Sequence, residues 1–332
     1  MSTPLPRGDV RRREGRRPSL HWISWLLGVA MLAAVVVVAL HFSEERQLLA
    51  IVERAEPWWL GAAVLLQAAT YLAQGEIWRL VPRAARVALP VWEAFKLSLA
   101  KLFIDQALPS GGISGTVVVA KALEQRGIAL PIVMASVVVD NVSFYGAYVL
   151  ALLLALLIAA LAGHASVGIV LTALAFAGVS AALTAAALSL SGHGDAAPRW
   201  LKHIPLVRSG LELLGEAEPT LARSPRLILV SGVLQLAILL LDAATVWVLI
   251  LSLGELASPT GVFASFMIST LLRTVGFAPG GLGVFEAASV VTLKLAGVPV
   301  PVALGATLMF RGLSFWLPMV PGLFFSREAR GA

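Results

Sequence analysis

The stretch LRTVGFAPGGLGVFEAA, residues 272–288, decides how this chain is read. It lies inside a long apolar region. Yet it carries an arginine (Arg273), a helix-breaking Pro-Gly-Gly (Pro279, Gly280, Gly281), a further glycine (Gly283) and a glutamate (Glu286). In hydrocarbon each of these is costly, because freed backbone groups find no water and an ionised side chain loses its hydration.

The surroundings are hydrocarbon-like. The 332 residues are 58% hydrophobic and only 13% charged, too few charges to cover a soluble protein of this size. Several apolar runs reach the ~20 residues that cross a bilayer. The chain therefore reads as an all-α polytopic membrane protein. It has no cysteine, which excludes disulfides and thiolate metal sites, and its five histidines show no metal-ligand spacing. Arg7, Arg11, Arg12, Arg13, Arg16 and Arg17 crowd the segment 1–20, ahead of the first apolar run. They fit a cytoplasmic topology signal, and the same charges suit a clamp on anionic lipid head groups. No nucleic-acid partner is expected. The first run is long for a signal peptide and no clear cleavage site follows it.

With that basic flank inside, 22–42 runs outward, the acid-rich loop 43–56 is external, and 58–80 returns to Arg79, Arg83 and Arg86. Then 131–160 goes out, 167–190 comes back, 227–253 goes out, and 302–325 returns to Arg327 and Arg330. This gives about six full spans in one domain over 21–326, with an amphipathic cytoplasmic linker at 191–226. A short tail follows at 327–332. Both termini are expected on the cytoplasmic side of the inner (plasma) membrane.

Two segments, 91–126 and 261–296, are too polar and too broken to be plain spans. Each reads as a pair of short helices meeting at a Gly/Pro break. The breaks resemble each other: DQALPSGGISG (105–115) and FAPGGLG (277–283) both have proline, a glycine pair and a further glycine. One is entered from the cytoplasm and the other from outside. The units 57–160 and 227–325 therefore read as an inverted repeat around two broken re-entrant hairpins, the sequence pattern of a transport site near the bilayer midplane.

LPSGGISG before a basic helix, and APGGLGVFEAA after an arginine, resemble the two signature regions of the lysylphosphatidylglycerol synthase transmembrane family, also called the flippase-like family. The resemblance covers nearly the whole chain after its basic start. Larger members carry a cytoplasmic synthase domain. This chain ends at Ala332, a few residues past its last span, so the resemblance implies lipid translocation without synthesis. Free-standing members also occur beside hopanoid and other isoprenoid-lipid pathways.

The candidate head-group site combines Arg273, Pro279, Gly280, Gly281, Gly283 and Glu286 with Asp105, Pro109, Ser110, Gly111, Gly112 and Gly115. A guanidinium suits a phosphate. Glycines that open a half-helix present N–H donors to an anion, although they also serve close helix packing. Two structural pairings compete with the binding roles: Arg273 with Glu286, and Asp242 with Arg311. Asp105 is a partner for Lys101 or a backbone cap. Asp140, Asn141, Asp242 and Arg311 are the remaining intramembrane polar groups, candidates for coupling or for bracing.

No nucleophile elbow, Walker lysine or metal motif occurs, so neither an enzyme nor a cofactor is expected. Three functions compete. One is a flippase or scramblase for a phospholipid or isoprenoid lipid. Another is a secondary transporter of a small anionic solute. The last is a non-transporting partner of a lipid-biosynthetic enzyme, for example in a hopanoid pathway. Membrane lipids are the expected partners.

Overall fold

A computed structural model describes residues 56–107, 113–163, 166–191, 215–275 and 281–331. The expected first span, the basic segment 1–20, most of the 191–226 linker and the tips of both breaks lie outside the described residues. Those tips include Pro109, Ser110, Gly111, Gly112, Pro279 and Gly280.

The described chain is helical, with no strand among the described residues. It begins with α1 (Pro57–Ala84) and a pair of half-helices, α2 (Val91–Ala107) and α3 (Ile113–Gln125). Next come α4 (Leu130–Leu161), α5 (Val167–Leu190), a single turn α6 (Pro219–Ala222) and α7 (Pro225–Ser252). A second pair of half-helices follows, α8 (Pro259–Val275) and α9 (Val284–Leu295). The last span is α10 (Val300–Arg311), which continues through a π turn (Gly312–Trp316) into α11 (Leu317–Gly331).

Local chemistry sets the ends. Proline occupies the first turn of α1, α4, α7 and α10, where its missing N–H costs nothing and its fixed φ suits the helix. Ser166 caps α5 by accepting from the Ile169 N–H. At the other end of α5, Arg223 donates to the Leu188, Ser189 and Ser191 carbonyls, a cation on the negative end of the helix dipole.

Among the described residues four stretches are long and apolar enough to cross a membrane: Leu130–Leu161, Val167–Leu190, Pro225–Ser252 and Val300–Arg327. The 28-residue α1 is as long as α7 but more polar. Its Gln67, Thr70, Tyr71 and Gln74 recur at i, i+3, i+4 and i+7, one stripe of a helix, and that stripe faces a cavity rather than the outside. The expected last span also differs in detail, since the π turn after Arg311 interrupts it.

Packing orders these helices. The α1 helix packs on α7, and α4 on α7, α1 and α5. The Glu56 N–H donates to the Ser252 carbonyl at 3.1 Å, so the start of α1 meets the end of α7 and the two run antiparallel. The first hairpin, α2–α3, opens at the C-terminal end of α1. The second, α8–α9, opens at the C-terminal end of α7. The hairpins therefore enter the bundle from opposite ends. Each also leans on the closing span of the other unit, α2 on α11 and α8 on α4.

At the mouth of the first hairpin, Glu93 accepts from both Lys96 and Arg126 at 2.8 Å, tying the start of α2 to the end of α3. These hydrogen bonds hold its carboxyl below the ordinary carboxylate range. The bracing is thus present above the ordinary value of about 4.3 and is lost as pH falls below it.

The α2–α11 contact is tight at Gly322, where a Cβ would lie 2.6 Å from the Leu99 carbonyl oxygen and 2.8 Å from the Phe103 Cβ. Gly322→Ala should therefore lower the thermal midpoint, by the ~1–3 kcal/mol of an overpacked contact. Gly178→Ala on α5, where a Cβ meets nothing within 4 Å, should not. Melting of both variants in detergent checks this.

Candidate functional site

The two hairpins and α1 converge on one cavity. Its empty space is about 780 Å³, open mouth included. The stripe of α1 forms one wall, with Asp242 of α7 beside it. Lys101, Asp105 and Gln106 enter from α2, Arg273 from α8, and Arg311 and Ser314 from α10 and the π turn. Phe266, Phe285 and Phe310 form an apolar floor, with ring centroids 5.7–6.2 Å apart. Asp105, Asp242, Arg273 and Arg311, from both halves of the sequence, thus face one space.

Each hairpin is held by a carboxylate. In the first, Asp105 Oδ1 accepts from the Gly115 N–H at 2.9 Å and Oδ2 from Lys101 Nζ at 2.8 Å. In the second, Glu286 Oε2 accepts from the Gly283 N–H at 2.6 Å and Oε1 from Arg311 Nε at 2.7 Å. Each carboxylate joins the amide of a glycine at the start of a half-helix to a cationic side chain. The fit around Gly115 is close, because a Cβ there would collide with the Asp105 carboxylate. Gly283 sits at φ +80°, a left-handed conformation that suits glycine.

These pairings correct the two expected from sequence. Glu286, fully buried, is bonded to Arg311 and not to Arg273. Asp242 is not bonded to Arg311. It accepts from Gln67 Nε2 at 2.8 Å, and Gln67 Nε2 also donates to Thr245 Oγ1 at 3.2 Å. The Gly115 and Gly283 amides, expected as donors to an outside anion, are taken by the chain's own carboxylates.

Arg273 stands apart. Among the described residues no carboxylate lies within ion-pair distance of it. Its guanidinium carbon is 5.8 Å from the centre of the Phe285 ring. Its stem crosses Gly281, at φ +66°, where any Cβ would overlap the arginine Cγ. Gly281 therefore makes room for the arginine. Arg311 by contrast is buried between Phe285 and Phe315, at 5.6 and 4.3 Å from the ring centres.

Two expected residues lie elsewhere. Asn141 donates to its own helix at the Val137 carbonyl. Asp140 is buried behind the cavity, accepting from Gln74 and Gln235. Gln67, Tyr71, Gln74 and Gln106 were missed as site residues. The helical spacing of polar residues within 67–74 was the available signal. No group of three or more metal-ligating residues occurs among the described residues.

Long apolar helices, a polar cavity at their centre and half-helices entering from opposite ends define a multi-pass membrane protein. The chain matches the family described as the lysylphosphatidylglycerol synthase TM region over residues 25–322. It belongs to that family. No curated protein matches the chain significantly.

The pairings predict an ordering of stabilities. Glu286→Gln leaves Arg311 buried without its carboxylate and should cost about 3–5 kcal/mol. Adding Arg311→Met should recover most of that loss. Arg273→Gln, which breaks no ion pair within the described residues, should melt near wild type. Thermal unfolding in detergent ranks the three.

Proposed function

We propose that this chain is a lipid flippase or scramblase of the inner membrane, without enzymatic activity of its own. In this reading it moves a lipid with an anionic head group through the central cavity while the acyl chains stay in the bilayer. The observation that carries the reading is Arg273. Three cationic side chains line the cavity. Lys101 and Arg311 are engaged by Asp105 and Glu286, and Arg273 alone has no carboxylate within ion-pair distance among the described residues. A guanidinium stays charged when desolvated and offers a phosphate a bidentate fork.

An inverted repeat supports a transport path. Exchanging α1 with α7, α2 with α8, α3 with α9 and α4 with α10–α11 turns most of the packed pairs into other packed pairs. The contact of α2 with α11 becomes that of α8 with α4, and α1 with α4 becomes α7 with α10. Both hairpins also carry a carboxylate clamp at the break, although Asp105 stands on the half-helix before its break and Glu286 on the half-helix after it. With the expected 22–42 helix, this gives about six spans and two broken hairpins. Arg79, Arg83, Arg126 and Arg226 gather at the end where α1 finishes and α7 begins, which supports placing that end in the cytoplasm.

Two experiments test the reading. Purified protein in liposomes should move a fluorescent phosphatidylglycerol between leaflets. Arg273→Gln should abolish this without loss of fold, and Arg273→Lys should slow it by about tenfold. Full transport by Arg273→Gln would remove the phosphate from the reading. For orientation, a cysteine at Ser166 should label from outside the cell and one at Lys121 only after permeabilisation. The reverse pattern would invert the topology.

A further inference from the structure

Behind the cavity wall lies a carboxyl that the head-group reading does not use. Asp140, about a third of the way along α4, is only 6% exposed. Its Oδ1 accepts from two neutral amides, Gln74 Nε2 of α1 at 3.2 Å and Gln235 Nε2 of α7 at 2.9 Å. Among the described residues no cation lies within ion-pair distance of it. Gln74 also lines the cavity, so Asp140 is one hydrogen bond removed from whatever occupies that space.

The charges around it are accounted for element by element. From α2, Lys101 and Asp105 act on it at longer range and are paired with each other. On α1, Glu76 is held by Arg79 and Arg83. On α7, Asp242 lies two turns further on, bonded to Gln67. Arg273 of α8 faces the cavity, Lys121 and Glu124 of α3 are exposed, and Glu218 beside α6 is half-buried. The α5 helix carries no titratable charge. A buried carboxylate with only amide donors is expensive, and a proton on its second oxygen removes that cost while both amides keep their acceptor.

We infer that Asp140, cradled by Gln74 and Gln235, is a proton-binding site linked through Gln74 to occupancy of the cavity. The proton resides on Oδ2, and Oδ1 remains the acceptor of both amides. When it leaves, Asp140 draws Gln74 more strongly, and Gln74 is part of the cavity wall. Proton movement and anion binding are then linked through the Gln74 amide, each changing the affinity for the other by the same factor. This inference rests on the cavity being a transport path, but the site can be observed without transport.

Infrared spectroscopy of the full chain in lipid vesicles, swept in pH, should show the carbonyl band of a protonated carboxyl. Asp140→Asn should remove that band, and Gln235→Leu should shift it by removing one donor. Asp242→Asn should leave it in place. In liposomes under an imposed pH gradient, lipid movement by the wild type should change rate several-fold and that by Asp140→Asn should not. A spectrum unchanged in both Asp140→Asn and Gln235→Leu would overturn the site, and should Asp140→Asn fail to fold, an unshifted band in Gln235→Leu does the same. A gradient response retained by Asp140→Asn would overturn the link to the cavity. A band sensitive to Asp140 in a protein that moves no lipid would leave the proton site standing and remove the flippase reading. Lipid movement without such a band would do the opposite.

Discussion

The structure depends on a carboxylate that does two tasks at a helix break. Stopping a helix inside a membrane frees N–H groups that water cannot reach, and placing a cation nearby adds a second unmet demand. Asp105 and Glu286 answer both at once. One oxygen takes the amide of a glycine at the start of the following half-helix, and the other takes a lysine or an arginine. Gly115 is required because the Asp105 carboxylate approaches its backbone so closely, and Gly283 suits its left-handed φ of +80°. Without the clamps, α2–α3 and α8–α9 would each combine an open backbone with a stranded cation, and the cavity between them would lose two walls.

The clamps also determine what remains for chemistry. A guanidinium already bonded to a buried carboxylate, as Arg311 is, gives up that bond before it can bind an anion. Among the described residues Arg273 has no such bond to give up, and its stem lies over Gly281, where no other residue would leave room. The two arginines thus differ in role although their charges are alike. The π turn after Arg311 contributes to the difference. It lets Arg311 and Ser314 both face the cavity, and it presents the Leu313 and Ser314 carbonyls to Tyr71 and Gln106 at 3.4–3.5 Å. An extra residue in one helical turn is a common device where backbone meets a site.

Much of this architecture was legible in the sequence. Apolar length marks α4, α5 and α7 to within a few residues, because a helix that faces lipid must be apolar along its whole length. Proline and glycine marked both breaks, since few other residues tolerate them. The partners of the charges were not legible. Arg273 and Glu286 are near in sequence and looked like a pair, but Gly281 and Gly283 turn the chain between them. Glu286 then faces Arg311, 25 residues further on. Asp242 and Arg311 looked like a pair by similar reasoning, yet the antiparallel packing of α1 on α7 gives Asp242 to Gln67. Pairing is set by how helices rotate against one another, and charge spacing along the chain carries little of that information.

The neutral residues of the cavity complete the argument. Gln67, Gln74, Gln106 and Tyr71 line it, and each can donate or accept. A wall built only of ion pairs would be rigid in its demands, since each pair broken by an entering anion leaves a buried charge unmatched. An amide has no such demand. Gln67 serves Asp242 and Thr245, and in the proposed transport reading its amide would be free to turn toward a phosphate without stranding a charge of its own. For the transport site proposed, which would have to accept and release an anion, such a lining is well suited. Clamped ions hold the frame, and the amides at helical spacing on α1 line the cavity without adding a charge to it. Among the described residues one cation of the cavity, Arg273, packed on the Phe285 ring with its stem over Gly281, is left without a carboxylate at ion-pair distance, and it is the one the proposed head group would meet.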